Sequence, residues 1–193
     1  MINIFIADVK DLDIADSLDS VSPRRREKIM RFANIADQRR SLGVALLLKK
    51  ATGRTDYALT ENGKPFFSDC SVSFSLAHCG NYAVCAVSEA DIGVDIELER
   101  NNSMRLAQRF FSSEEAEMVA NSHSPDEEFC RLWTLRESYI KAADLHLSDM
   151  SSFSVAHGVD GYCFENLKFG EYTIGCCART QDIGEINIYN EKI

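Results

Sequence analysis

The chain of 193 residues predicts an α+β fold with two halves of similar make-up. Three observations lead there. Strand-like and helical periodicities come in blocks (a strand, two helices, strands, helices, strands) rather than in strict alternation. Hydrophobic residues make up 45% and charged residues 26%, the balance of a chain that buries a core. No repeat, low-complexity tract or Pro/Gly-rich linker divides the blocks, so the halves are expected at 1–100 and 101–193, joined near Leu98–Asn102.

The elements follow in order. Met1–Ala7 alternates as a first strand and lacks the basic flank and apolar length of a signal peptide. Ser22 can cap a helix and Pro23 suits its first turn. Helical spacing then covers 24–34 and 37–52, the second stretch ending at Gly53. Asn62-Gly63-Lys64-Pro65 is a turn. Three strands are expected near 72–77, 82–88 and 92–97. Helices are expected over 103–110 and 113–121, with Ser112 or Ser113 and Glu115 or Glu117 in a capping arrangement, and over 126–143. Short strands finish the chain at Tyr162–Glu165, Tyr172–Ala178 and Ile183–Tyr189.

Composition excludes several functions. Net charge is −9, which argues against a general nucleic-acid binder. No apolar run reaches the roughly 20 residues of a membrane span. Seven cysteines without a CxxC pair read as reduced thiols of a cytoplasmic protein. His78-Cys79 has no second ligand pair at zinc spacing. The average charge hides an asymmetry: Arg24 to Arg54 holds ten basic residues against two acidic ones. Most of these suit solvated helix faces; a few, in a sharper reading, form an anion-binding patch.

Two segments carry chemistry. In Gly93-Val94-Asp95-Ile96-Glu97 the strand period puts both carboxylates on one face. In Trp133-Thr134-Leu135-Arg136-Glu137-Ser138-Tyr139-Ile140-Lys141, residues Trp133, Glu137 and Lys141 share one side of a helix. Taken singly, each has a plain alternative, an acidic outer strand face and a surface Glu–Lys pair. The chain's only tryptophan on the same stripe favours at least partial burial. Three carboxylates and a lysine in one site suit a hard divalent cation and a phosphate ligand.

Together these segments resemble the signature motifs of the 4'-phosphopantetheinyl transferases, in the longer, surfactin-synthetase-type branch. Other segments follow the same pattern in order: Ser22-Pro23-Arg24-Arg25-Arg26-Glu27-Lys28 with Arg31-Phe32, Asp37 to Gly43, Gly63-Lys64-Pro65, Phe74-Ser75-Leu76-Ala77-His78-Cys79-Gly80 and Arg109-Phe110-Phe111-Ser112. The resemblance implies two halves in pseudo-two-fold arrangement with the site between them. It implies Mg²⁺ on Asp95, Glu97 and Glu137, with Glu137 also as base and Lys141 on the diphosphate. Coenzyme A would meet Lys28, Arg31, Arg40, Lys64, Pro65, His78, Arg136 and Lys141. For His78 a satisfied core histidine is the other reading. The second substrate would be an apo acyl or peptidyl carrier protein, and the enzyme a monomer. Three departures stand out: Arg136 in place of lysine, Ala77 in place of serine and Ser75 in place of asparagine. Two rivals are kept: a non-catalytic coenzyme A or carrier-binding relic, and another Mg²⁺-dependent enzyme of nucleotide diphosphates.

Overall fold

A computed structural model describes residues 1–99 and 103–193. Of the expected junction at Leu98–Asn102, residues 100–102 lie outside the described residues. The elements run β1 (Ile2–Asp8), α1 (Ile14–Ser17), α2 (Pro23–Met30), α3 (Ile35–Thr52), β2 (Ala58–Leu59), β3 (Pro65–Phe66), β4 (Ser73–Cys79), β5 (Tyr82–Ser88) and β6 (Ile92–Leu98). Then come α4 (Ser103–Phe110), α5 (Ser113–Asn121), α6 (Pro125–Ala143), β7 (Cys163–Phe169), β8 (Tyr172–Ala178) and β9 (Ile186–Glu191). The mixed helix and sheet content is the expected α+β class.

Local chemistry explains the ends. Ser22 accepts from the Arg25 amide while Pro23 opens α2. Gly53 closes α3 in the left-handed region at φ 76°, which an L side chain rarely adopts. Ser112 and Glu115 form the reciprocal capping box of α5.

Two sheets form. One has the order β4-β5-β1-β9 and the other β6-β8-β7. Strand β9 returns from the C-terminal half to lie parallel to β1, pairing Ile2 with Ile186. Strand β6, from the N-terminal half, pairs antiparallel with β8, so Asp95 faces Gly175 and Glu97 faces Thr173. The sheets meet where β4 abuts β6. There the Ser73 and Ser75 hydroxyls accept from the Ile92 and Val94 amides at 3.2 and 3.0 Å. Ser75 thus splices the sheets, a role its sequence context did not suggest.

The cores follow from strand alternation. Ile92, Val94 and Ile96 point into a cluster with Ile2, Ile4, Ile6, Ile174 and Cys176. The opposite face of β6 and β8 is covered by α6. A Cβ on Gly93 would lie 1.8 Å from the Ser138 carbonyl oxygen, and one on Gly175 would lie 2.4 Å from the backbone of Thr134. Glycine at these two positions lets α6 rest directly on the strands. That contact sets Glu137 and Lys141 beside Asp95 and Glu97. Among the described residues, no helix is long and apolar enough to cross a membrane.

Candidate functional site

Strand β6 places Asp95 and Glu97 on the face toward α6, and α6 supplies Glu137 and Lys141 from adjacent turns. Lys141 does not close an i,i+4 pair with Glu137. Its Nζ donates to Asp95 Oδ1 at 2.7 Å and to the Val94 carbonyl at 3.1 Å. Asp95 is buried, and its Oδ2 has no hydrogen-bond partner among the described residues. Burial raises the Asp95 pKa and the Glu97 charge adds to the rise, while Lys141 opposes it. Glu137 is raised in the same way, first by desolvation and then by the charges of Asp95 and Glu97. Glu97 Oε2 accepts a hydrogen bond from the Cys79 thiol at 3.4 Å.

Among the described residues, no three Asp, Glu, His or Cys side chains converge as a closed metal cluster. The donor set still suits a hard cation. It consists of carboxylates, two of which, Asp95 and Glu137, are raised by burial and by neighbouring carboxylate charge, and Asp95 Oδ2 is a buried acceptor without a donor among the described residues. Mg²⁺ binds such oxygens and keeps several waters, so it does not require a closed protein cage.

A cavity of about 360 Å³ runs from Asp95 and Lys141 to the basic segment and is also lined by Lys28, Phe32, Pro65 and His78, among others, while Glu137 and Lys141 line an adjoining cavity with Lys64 and Pro65. A neighbouring cavity of about the same volume is lined by Arg24, Arg25, Lys28 and Arg31 together with Tyr57. The Lys28 pKa is lowered by burial and by the Arg25 and Arg24 charges, which marks an electropositive end. Most of the ten basic side chains are engaged within the fold. Arg25 bonds Tyr57 Oη and the Ser41 carbonyl, Arg39 bonds the Lys10 and Leu12 carbonyls, and Arg54 pairs with Asp69. Arg31 pairs with Glu27, and Arg40 with Asp37 while also donating to the Gly80 carbonyl. Arg24 and Lys28 have no ion-pair partner among the described residues.

His78, the last residue but one of β4, lines the cavity. Desolvation first, and then the Arg40 charge, lower its pKa and keep it neutral at physiological pH. Lys64 reaches the end of α6, donating to the Ala142 carbonyl at 2.6 Å and to Asp91 at 3.1 Å. Its neighbours Thr60 and Asn62 bond Asp144, so the turn before Pro65 is latched to the helix end. Trp133 lies in a ring cluster with Phe110, Phe111 and Phe129.

Arg136 is a correction. The resemblance placed it on coenzyme A, but its side chain is 0% exposed and faces away from the cavity. It donates to Glu115 Oε2 at 2.5 Å, to the carbonyls of Phe153 and Phe110 at 2.8 and 3.3 Å, and to that of Met150. Arg136 sits one residue before Glu137, and a helix advances about 100° per residue, so neighbours point to different sides. Glu115, unmarked in the sequence except as a cap, is its buried partner. Burial pushes the Glu115 carboxyl up, but amide donors from Val155 and Ser112 and the Arg136 charge bring it below its usual value.

Comparison with known proteins agrees with this geometry. A family model described as the 4'-phosphopantetheinyl transferase superfamily matches residues 91–180, the stretch from β6 through β8. A 4'-phosphopantetheinyl transferase of Bacillus subtilis is 34% identical over 179 residues, covering 86% of this chain and 79% of that protein. The 4'-phosphopantetheinyl transferase Sfp of Bacillus subtilis (strain 168) is 33% identical, covering 73% and 68%. The L-aminoadipate-semialdehyde dehydrogenase-phosphopantetheinyl transferase of Xenopus laevis is 30% identical, covering 66% and 50%. With the acids and the lysine inside the matched stretch, and a relative 34% identical over most of both chains, the chain belongs to the 4'-phosphopantetheinyl transferase superfamily.

Proposed function

We propose that this chain transfers the 4'-phosphopantetheine arm of coenzyme A to a serine of an apo acyl or peptidyl carrier protein and releases adenosine 3',5'-bisphosphate. The observation that carries this reading is one cleft holding two chemistries. Acids and a lysine stand at one end, and an electropositive cavity at the other. A dinucleotide-like ligand with a diphosphate and a further phosphate needs both. Asp95, Glu97 and Glu137 would hold Mg²⁺, which when bound neutralises charge on the diphosphate.

The protein's own groups do the rest. Lys28, with Arg31 and Arg40 nearby, supplies positive charge for the 3'-phosphate, and neutral His78 offers a hydrogen bond there. Pro65 and the stem of Lys64 flank the base. Glu137 takes the proton of the carrier serine, directly or through water; its raised pKa brings it nearer to the working pH of a general base. Lys141, released from Asp95 Oδ1 as the carboxylate turns to its ligand, stabilises charge on the diphosphate oxygens. No protein nucleophile is required.

We infer also that the two halves are related by a pseudo-two-fold axis, as the resemblance implies. Each half lays a long helix, α3 or α6, over the second strand of a hairpin, β4–β5 or β7–β8. One chain then builds a whole cleft, which supports a monomer. The seven free thiols support a reducing, cytoplasmic setting. The acidic net charge argues against nucleic acid, and no membrane contact is part of the reading.

The test is incubation of the protein with coenzyme A, Mg²⁺ and an apo carrier protein. The carrier should gain the mass of the arm. EDTA should stop the gain, and Glu137→Gln should lower kcat at least about 10²-fold, the low end for loss of a general base. A wild type that binds coenzyme A but modifies no carrier from its own genome would instead establish the non-catalytic relic.

A further inference from the structure

Thr173 stands directly opposite Glu97 in the β6–β8 register. Opposed residues of an antiparallel pair share a sheet face, with Cβ atoms about 4.5–5.5 Å apart. The hydroxyl is therefore within reach of the Glu97 carboxylate. Yet Thr173 is 2% exposed, and its Oγ1 has no hydrogen-bond partner among the described residues. A hydroxyl buried without a partner is destabilising, because the water it gave up is not replaced. Valine has the same shape and β-branching, would fill the space without that cost, and suits a strand as well.

The pattern on this face sharpens the point. The next residue of β8 on the same side is Gly175, which has no side chain because α6 lies on it. One strand over, Asp95 Oδ2 is also buried and has no partner among the described residues. Two unsatisfied polar atoms thus flank Glu97, one a hydrogen-bond donor and one an acceptor. In this structure the Glu97 carboxylate is turned to the Cys79 thiol. An arrangement in which Glu97 swings to a cation beside Asp95 would satisfy both atoms.

We propose that Thr173 is a positioning residue for Glu97. Its hydroxyl donates to one carboxylate oxygen of Glu97 and aims the other at the metal shared with Asp95. The hydroxyl proton stays on oxygen throughout, and Thr173 touches neither metal nor substrate. Groups that orient a ligating carboxylate in this way typically change metal affinity 10–100-fold when removed. The inference rests on the reading of Glu97 as a metal ligand.

The experiment titrates Mn²⁺ into the protein with coenzyme A present, following free Mn²⁺ by electron paramagnetic resonance, and measures metal-free thermal stability alongside. Thr173→Val should keep or raise the metal-free Tm, because it deletes an unsatisfied hydroxyl. It should weaken Mn²⁺ binding about 10–100-fold. Thr173→Ser, which keeps the hydroxyl, should return binding to near the wild-type value. If Thr173→Val fails to fold, Thr173→Ser against Thr173→Ala carries the same comparison. Unchanged Mn²⁺ affinity on loss of the hydroxyl would overturn the inference, as would equal weakening in the variants with and without it. Glu97→Gln separates the two readings. If it binds Mn²⁺ like the wild type, the ligand assignment itself falls. If it loses Mn²⁺ while Thr173→Val does not, only the role of Thr173 falls.

Discussion

Replacing Arg136 by lysine tests whether this position serves stability or coenzyme A. The family motif that this helix resembles has lysine at that position, so activity-based intuition calls the change mild. The structure says otherwise. Arg136 and Glu115 are both 0% exposed, and the guanidinium also binds three backbone carbonyls. Its Cζ lies 4.6 Å from the centre of the Phe153 ring and 5.2 Å from that of Phe111. An ammonium has three donors at a point and cannot reproduce a planar fork. Breaking one side of a buried pair costs about 3–5 kcal/mol, and at this chain size each kcal/mol shifts Tm by about 2–4 °C. Arg136→Met should therefore lower Tm by about 6–20 °C, and Arg136→Lys by a smaller but clear amount. Joining Glu115→Gln to Arg136→Met should cost less than the sum of the singles, because it removes the stranded charge. The assay is calorimetric unfolding, paired with the KM for coenzyme A at a temperature where each variant is folded. An unchanged Tm with a raised KM for Arg136→Lys would refute this reasoning and restore the phosphate-contact assignment.

Other outcomes follow from the same geometry. Lys28→Ala with Arg31→Ala should raise the KM for coenzyme A more than it lowers kcat. Dephospho-coenzyme A, which lacks the 3'-phosphate, should show little further loss; an equal loss with both substrates would move the contact elsewhere. Glu137 has a folded pKa raised above its ordinary 4.5, so the folded state takes up its proton first on acidification. Its destabilising effect is full above the folded pKa and gone below the unfolded one. In EDTA, the wild type should therefore gain stability relative to Glu137→Gln as pH falls from about 7 toward the carboxylate range; a parallel pair of curves would count against it. Gly175→Ala should disrupt folding or displace α6, seen as a collapsed Tm, whereas Gly170→Ala at an exposed turn should cost far less despite its φ of 60°.

Much of the fold was legible because most elements are long enough to show a period. The strand at 82–88 and the helices at 103–110 and 113–121 end where their patterns end. Helix α1 and strands β2 and β3 span four residues or fewer and hold no full period. Strand β7 runs on to Phe169, past the Glu165 expected because the polar Asn166 and Lys168 interrupt an apolar alternation. Asn166 is instead drawn in to bond Thr134, and Lys168 to bond Glu99 and Glu127. In the site, the four charged side chains were legible through their spacing. Arg136 was not, because a charged residue in a helix reads as exposed unless its partner is visible. Its partner Glu115 lies 21 residues away, inside a local capping pattern that accounted for it fully.

The two glycines beneath α6 act as keyways. Thr134 and Ser138, the residues seated in them, are one helical turn apart, and Glu137 lies between. A rod held at two notches along one line can neither roll nor slide by a residue. The bearing of the acid is thus fixed by backbone against backbone, with no side chain as intermediary. Side chains elsewhere in the core can be exchanged for others of similar bulk without retuning the reaction centre. A saturation mutagenesis screen should then show a distinctive map: tolerance across the aliphatic interior, and two intolerant points, Gly93 and Gly175, that touch no reactant.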